Sequence, residues 1–173
     1  ALVRARQADQ ELSAGSNEIG PLHGVPITLK DHVIVKGMRT TLGLPQYWSY
    51  RPSKDCELVV RLRRAGAIIL GRTNVPFGCY DWNCRNPIYP ETVNPWNSSR
   101  TPGGSSGGAA VAIATGMTPL DMGSDLAGSI RLPSHCCGIF GLRTTDGLLP
   151  MNDVGPEDFP PSSRPARRCH TCC

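Results

Sequence analysis

The sequence has little of what nucleic-acid-binding or membrane-spanning proteins need. Aromatic residues make up only 6% of its 173 residues, the net charge is a mild +4, and no basic stripe with interleaved aromatics occurs. We therefore expect no direct binding of nucleic acid. The longest apolar run, 109–114, is far shorter than the roughly 20 residues that cross a bilayer, so no transmembrane segment is predicted. The N-terminus also lacks the charged-then-apolar pattern of a secretion signal.

The cysteines are not spaced as metal ligands. Five of them are scattered among apolar or polar neighbours: Cys56, Cys79, Cys84, Cys136 and Cys137. We expect these to be buried, reduced thiols, as in a cytoplasmic protein, although a secreted origin stays open. The end of the chain, Cys169-His-Thr-Cys-Cys173, superficially suggests zinc, but tetrahedral zinc usually takes two spaced pairs and no second pair exists. The sequence thus predicts neither a metal nor another cofactor.

Size and composition are those of one globular domain with many turns. The chain is 39% apolar and contains 19 glycines and 16 prolines, enough apolar residues for a core and enough breakers for long connections. The patterned part ends near residue 150. Over 151–173 prolines interrupt any helix and no periodic segment follows, so we predict an irregular tail there, non-native or disordered.

Hydrophobic periodicity predicts alternating helices and strands. The predicted helices are 1–13, 55–65 and 106–116, and the predicted strands are 25–30, 67–70 and 119–122. Asp55 can cap the second helix and Gly66 can end it. Ser129 is predicted at a turn before a further strand. This order favours an α/β fold in which a mixed, largely parallel central sheet is flanked by helices.

Two glycine-framed serine loops and one lysine carry the chemistry. The loops are Arg100-Thr-Pro-Gly-Gly-Ser-Ser-Gly-Gly-Ala109 and Gly123-Ser-Asp-Leu-Ala-Gly-Ser-Ile-Arg131, and Lys30 ends an apolar strand. A hydroxyl becomes a good nucleophile once a base takes its proton, and lysine can be that base only when burial keeps it neutral. Two alternatives remain open at this point: the first loop could be a flexible linker, and Lys30 could reach water or pair with Asp31.

The second loop also offers backbone amides that could converge on one point, as an oxyanion hole requires. The amides are those of Leu126, Ala127, Gly128 and Ser129. A histidine-based serine hydrolase is disfavoured. None of the four histidines lies in a Gly-x-Ser-x-Gly segment, which is the usual context of the nucleophile in such enzymes. These histidines are His23, His32, His135 and His170.

These blocks together resemble the amidase signature family, which includes bacterial and fungal amidases and fatty-acid-amide-hydrolase-like members. The resemblance covers residues 1–150 and also rests on three further segments: Leu22-His-Gly-Val-Pro-Ile-Thr-Leu-Lys-Asp31, Asn94-Pro-Trp96 and Cys137-Gly-Ile-Phe-Gly-Leu142. It implies an amidase signature domain over 1–150 and a partial amidase-signature fold that lacks the C-terminal half. The chain is therefore expected to be truncated, frameshifted or a fragment.

The resemblance implies a Ser-Ser-Lys triad that hydrolyses a carboxamide through an acyl-enzyme. Ser129 would be the nucleophile, Ser105, preceded by a cis peptide bond, would relay the proton, and Lys30 would accept it. The amides from Leu126 to Ser129 would bind the oxyanion. The supporting residues would be Ser106, Asp125 and Arg131; a plain surface salt bridge between the last two is the alternative. The family commonly has Gly-Gly before the nucleophile, where this chain has Ala127-Gly128.

Three functions follow from this resemblance. The first is an amidase core that acts on a small linear amide, with a homodimer left open as its assembly. The second is an inactive remnant without a substrate pocket. The third is the amidase subunit of a tRNA-dependent amidotransferase, which would need protein and tRNA partners; the segment Asn74-Val-Pro-Phe77 lacks the Met-Asp-Glu-Phe-type run expected there.

Overall fold

The computed structural model describes residues 1–15, 19–145, 147–150 and 155–156. Four helices and three strands alternate along these residues. They are α1 (Leu2–Ser13), β1 (Pro26–Lys30), α2 (Glu57–Arg64), β2 (Ile68–Thr73), α3 (Gly107–Ala114), β3 (Asp121–Met122) and α4 (Arg131–Cys137). Two short 3-10 turns lie at Pro45–Tyr47 and Phe77–Cys79. The expectations for 151–173, including the cysteine-rich end, lie outside the described residues except for 155–156.

The strands form one parallel sheet in the order β2-β1-β3, which confirms the predicted α/β class. The strand β1 is central, so both of its edges are hydrogen-bonded. Its pairing with β2 shifts between Ile27 and Thr28: Ile27 pairs with Ile69 but Thr28 pairs with Gly71, which leaves Leu70 as an extra residue in β2.

The two faces of β1 have opposite character, because successive side chains of a strand point to opposite sides. Ile27 and Leu29 are fully buried in the apolar core. The apolar side of α2, formed by Leu58, Val59 and Leu62, belongs to the same core. Thr28 and Lys30 therefore point to the other side, where their side chains meet polar partners.

The helix α3 contacts all three strands. It consists of Gly, Ala, Val and Ile only, and its first two residues allow a very close approach to the loop after β2. A Cβ at Gly108 would lie 2.4 Å from the backbone nitrogen of Asn74, and one at Gly107 would lie 2.8 Å from the Cβ of Cys84. Glycine is thus required at the two positions where the first serine loop joins the helix.

The start of α2 differs from the prediction. The N-cap position is Cys56, and no side chain caps the helix. Asp55 accepts hydrogen bonds from the backbone nitrogen of Lys36 at 2.7 Å and from Arg63 at 2.8 Å instead. The predicted cap was wrong because the Asp55 carboxylate is already hydrogen-bonded to the backbone amide of Lys36, in an earlier loop, and to the side chain of Arg63 in α2.

The segment after Ser129 is a helix, α4, and not the predicted strand. Pro133 is its third residue, a position where the missing N–H breaks no intrahelical hydrogen bond. The peripheral helix α1 buries only Ala8, whereas Leu2 and Leu12 are exposed. Within the described residues, no helix combines the length and hydropathy that a bilayer crossing demands.

Candidate active site

The side chain of Lys30 is completely buried at the end of the central strand. Its Nζ donates hydrogen bonds to Ser105 Oγ at 2.7 Å and to Ser124 Oγ at 3.1 Å. Both hydroxyls come from loops far along the chain, which the sheet and α3 bring to the end of β1. Burial disfavours an ammonium ion, so this is an environment in which a lysine can act as a base.

Ser105 lies in the first serine loop, directly before α3. The peptide bond between Gly104 and Ser105 is cis, as the resemblance implies. A Cβ at Gly104 would lie 2.4 Å from the backbone oxygen of Asp81, so a side chain there would clash with the backbone of that loop. Ser106 is also buried; its backbone nitrogen donates to the carbonyl of Ser129 at 3.1 Å. The two serine loops are therefore joined by a main-chain hydrogen bond.

Asp125 organises the second serine loop. Its carboxylate accepts hydrogen bonds from the backbone nitrogens of Gly128, Ile130 and Arg131, at 2.8, 3.1 and 3.1 Å. The guanidinium of Arg131 donates to both carboxylate oxygens, at 3.0 and 2.9 Å. Burial alone would raise the pKa of Asp125, but the hydrogen bonds from Arg131 and the backbone outweigh it and hold the pKa well below its ordinary value. This arrangement is a loop-forming network rather than a simple surface ion pair.

The four amides assigned to an oxyanion hole are not equivalent. The N–H of Gly128 is taken by Asp125, whereas the N–H groups of Leu126, Ala127 and Ser129 make no hydrogen bond within the described residues. Gly128 has φ +108°, a conformation that favours glycine. Ala127 has no positive φ, so the alanine that replaces the family's usual glycine is tolerated there.

Ser129 is half-buried. Among the described residues its hydroxyl makes no hydrogen bond to Ser105 or Lys30, although its carbonyl is held by Ser106. The structure thus brings Lys30 and Ser105 into direct contact. It places Ser129 on the adjoining loop without a direct hydrogen bond between the two serine hydroxyls.

The sequence matches the amidase family model over residues 1–164. The chain belongs to the amidase family. It is 42% identical over 149 residues to a glutamyl-tRNA(Gln) amidotransferase subunit from Cyanothece sp. (strain PCC 7425), covering 86% of this chain and 31% of that protein. It is 44% identical over 147 residues to an acylamidase from Rhodococcus erythropolis, covering 85% of this chain and 31% of the relative.

Solved amidase-family structures have the same fold. The native peptide amidase from Stenotrophomonas maltophilia matches with a TM-score of 0.84 and 36% identity, over 90% of this chain and 32% of that one. A 6-aminohexanoate cyclic dimer hydrolase matches with a TM-score of 0.81 and 32% identity, over 99% of this chain and 34% of that one. The chain spans about a third of the length of these amidase relatives.

Sequence reasoning missed Ser124, the second hydroxyl at the lysine of this amidase-family chain. It is the first serine of the Gly123-Ser-Asp block, and its backbone carbonyl accepts a 3.4 Å hydrogen bond from Ser106 Oγ. The sequence did offer a hint of this role, because Ser124 directly precedes Asp125, the predicted supporting residue, in a glycine-flanked segment. Only the spatial approach of this segment to β1 identifies it as a partner of Lys30.

Sequence reasoning also missed Asp121, which is fully buried in β3. Its Oδ2 accepts hydrogen bonds from Thr28 Oγ1 at 2.6 Å and from Thr73 Oγ1 at 3.0 Å. Burial raises its pKa to about 6, although the two threonines, Lys30 and Arg72 act in the opposite direction. An acidic residue between Leu120 and Met122 in a predicted strand was the available signal, since a buried carboxylate needs partners.

Asp31, the other acid near the lysine, has its own partners. It accepts hydrogen bonds from the backbone and hydroxyl of Thr41 and lies 3.3 Å from the guanidinium of Arg72. Burial raises the pKa of Asp31 in spite of Arg72. The amidase-family chain thus uses this carboxylate to hold Arg72, whose guanidinium also donates to the carbonyl of Lys30.

His32 is buried beside the lysine segment. Its two ring nitrogens have no hydrogen-bond partner among the described residues. Burial, followed by the positive charges of Lys30 and Arg72, lowers its pKa well below the ordinary value, so the imidazole is neutral. No described cluster of three or more His, Cys, Asp or Glu residues could hold a metal ion. The five described cysteines are free thiols, three of them buried.

Proposed function

We propose that the chain contains the catalytic centre of an amidase that hydrolyses a carboxamide C–N bond. The observation that supports this most directly is the 2.7 Å contact between the buried Lys30 Nζ and Ser105 Oγ, in a chain of the amidase family. A solvated lysine would be protonated and unable to serve as a base, whereas a buried amine held by two hydroxyls can serve as one. We take residues 1–150 as the amidase unit and a small-molecule amide as the substrate.

In the proposed acylation step, Ser129 attacks the amide carbonyl. The proton on Ser129 Oγ passes to Ser105 Oγ, and the proton that Ser105 carried passes to Lys30 Nζ, which becomes an ammonium. As the tetrahedral intermediate collapses, the proton returns along the same path to the leaving amine. Water then repeats the sequence on the acyl-serine and releases the acid.

The amides of Leu126, Ala127 and Ser129 are the donors that we assign to the developing oxyanion. They make no other described hydrogen bond, as expected of donors that await a substrate oxygen. We assign a different role to Gly128, because its N–H is bonded to Asp125. Asp125, Arg131 and Ser106 then hold the loop that presents both the nucleophile and these amides.

The experiment is labelling with a fluorophosphonate probe, which reacts preferentially with an activated serine hydroxyl. The probe is expected to modify Ser129, with the site read by peptide mass spectrometry. Replacing Lys30→Ala or Ser105→Ala is expected to slow labelling by at least about 100-fold. Lys36→Ala and Ser53→Ala, at exposed positions, are the matched controls and are expected to label as the unchanged chain does.

Hydrolysis is the second readout. Release of ammonia or amine from a simple linear amide is expected to follow the labelling, with the same losses in the variants. A folded chain that is not labelled at Ser129 would support the inactive remnant instead. Labelling that persists in a folded Lys30→Ala variant would overturn the lysine-based mechanism.

One observation favours a second function, that of an amidotransferase component. The chain is 42% identical over 149 residues to the glutamyl-tRNA(Gln) amidotransferase subunit from Cyanothece sp.. In that case the ammonia released from an amide donor would be passed on rather than lost to solvent. Copurification with partner proteins, and amidase activity that depends on them, would distinguish this function from a free-standing amidase.

A further inference from the structure

A buried carboxylate shares one face of the sheet with Lys30. Thr28 pairs with Asp121 across β1 and β3, and Lys30 pairs with Thr73 across β1 and β2. Paired residues of adjacent strands point to the same side, and Thr28 and Lys30 are two apart on β1. These four side chains therefore lie together on the face that α3 covers.

Asp121 accepts two hydrogen bonds through one of its carboxylate oxygens. Both threonine hydroxyls donate to the same oxygen, Oδ2, and donors to a carboxylate favour its ionised form. The other oxygen, Oδ1, is buried and has no hydrogen-bond partner within the described residues. An unpaired buried anion is costly, and a cation that forms nearby lowers that cost.

The cations that act on Asp121 are Lys30 and Arg72. Arg72 lies 3.3 Å from the Asp31 carboxylate, so its charge is shared with a second acid. Lys30 is the cation on the same face of the sheet as Asp121. The covering helix α3 carries no ionisable side chain, because it contains only Gly, Ala, Val and Ile.

Among the described residues, His32 and Cys84 also interact electrostatically with Lys30, and both are neutral. His32 is neutral because burial lowers its pKa far below the ordinary value. Burial raises the pKa of the Cys84 thiol, which keeps this group neutral as well.

We propose that Asp121 is the counter-charge of Lys30: it stabilises the ammonium that forms when Lys30 takes the proton relayed from Ser129 through Ser105. The proposal rests on the proposed function. Asp121 touches neither substrate nor nucleophile and acts through Lys30, so it is a positioning residue. An aspartate that stabilises a catalytic imidazolium in a Ser-His-Asp triad plays the equivalent part.

This assignment makes a specific prediction for Asp121→Asn, which keeps the shape and an acceptor oxygen but removes the charge. Without the anion, Lys30 holds its proton less tightly, so the acid limb of the labelling or activity profile moves to lower pH by about one unit. The same change weakens the base and lowers the maximal rate roughly tenfold. A merely structural role for Asp121 would lower the rate without moving the limb.

The direct test is a titration of the lysines by nuclear magnetic resonance. The chain has three lysines, Lys30, Lys36 and Lys54, so selective ¹³C labelling of lysine gives three resolvable side-chain signals. In Asp121→Asn the midpoint of Lys30 is expected to fall by about one pH unit. The exposed Lys36 and Lys54 act as internal controls and are expected to stay unchanged.

The reciprocal variant covers the case in which Asp121→Asn does not fold. In Lys30→Met the carboxyl signal of Asp121 is expected to titrate at higher pH. The interaction free energy between the two groups is reciprocal, so losing the lysine charge must raise the pKa of the carboxyl group. An unchanged Lys30 midpoint in folded Asp121→Asn, or an unchanged Asp121 midpoint in Lys30→Met, would overturn the proposal.

The two proposals can fail separately. If both midpoints move as expected and fluorophosphonate labels Ser129 with a shifted acid limb, the counter-charge role is supported. If the midpoints stay put while Ser129 is still labelled, the counter-charge role fails and the amidase proposal stands. If the midpoints move but Ser129 is never labelled, the amidase proposal fails. Lys30 and Asp121 would then interact electrostatically without a role in catalysis.

Discussion

Lys30 Nζ lies 2.7 Å from Ser105 Oγ, although 75 positions separate the two residues in the chain. The end of a buried parallel strand and the start of a glycine- and alanine-rich helix make this contact. At this distance the hydrogen bond can run in either direction, so the same contact serves a lysine that donates and a neutral lysine that accepts the serine proton. The helix can approach so closely because its first residues are glycines.

Ser124→Ala should slow labelling of Ser129 about tenfold, because Lys30 loses a hydrogen-bond partner worth roughly 1.4 kcal/mol. Ser124→Thr keeps the hydroxyl and should restore most of the rate. The measurement is the second-order rate of fluorophosphonate labelling in both variants. Equal rates in Ser124→Ala and the unchanged chain, or a folded Ser124→Thr as slow as the alanine variant, would contradict a role for this hydroxyl.

Asp125→Asn should destabilise the fold at neutral pH by on the order of 2–3 kcal/mol, since Asn cannot accept the hydrogen bonds on both sides of the carboxylate. The native pKa of Asp125 is lowered, so its stabilising contribution is present above about pH 4 and is lost as pH falls below that value. The difference in unfolding free energy between the two chains should therefore shrink on acidification from about pH 5 to about pH 2.

Denaturant unfolding at several pH values measures this difference. Asp9→Asn, on the exposed side of α1, is the matched control and should change stability little at any pH. A difference for Asp125→Asn that stays constant over the whole acid range would show that the charge of Asp125 does not stabilise the loop.

Gly108→Ala should destabilise the fold by about 1–3 kcal/mol and slow labelling of Ser129, because the added Cβ would meet the backbone of Asn74. Backbone cannot turn away as a side chain can, so α3 and the serine loop in front of it must shift. Gly71→Ala is the matched control: a Cβ there meets nothing within 4 Å. Its effect should stay within about 0.5 kcal/mol. Equal thermal midpoints for the two variants would show that α3 has room to move.

Asp121→Asn should become more stable relative to the unchanged chain as pH rises from about 4 to about 7. The native pKa of Asp121 is raised from 3.8 to about 6, so the folded chain binds a proton more tightly than the unfolded chain. Stability from this group is thus greatest at low pH and falls as pH rises through the folded pKa, by about 3 kcal/mol in total. Unfolding free energies of both chains at the two ends of this range measure the change, and a difference independent of pH would contradict it.

Much of the fold follows from local pattern. The apolar run before Lys30 predicts a buried strand with the lysine at its end, and the helix with Leu58, Val59 and Leu62 on one side predicts the partner of that strand. Both are present, because strand alternation and helical periodicity depend only on near neighbours. The glycine-framed serine blocks likewise identify the loops without any structure.

The missed features depend on contacts between distant parts of the chain. Thr28 and Asp121 are 93 positions apart, and nothing in the neighbourhood of either residue predicts that they meet. Asp55 has the right spacing for a helix cap, but an amide from the Lys36 loop takes its carboxylate. The segment that begins at Arg131 has no clear period, so its helix could not be distinguished from a strand.

The extra residue Leu70 decides which side chain stands opposite the lysine. Because Leu70 has no pairing partner in β1, Thr73 pairs with Lys30, and the Thr73 hydroxyl donates a hydrogen bond to Asp121. Strict residue-for-residue pairing after Ile69 would instead place Arg72 opposite Lys30. A permanent cation would then lie on the sheet face that carries Lys30 and Asp121. Such a neighbour would repel an incoming proton, so this one-residue slip in strand pairing protects the basicity of the amine.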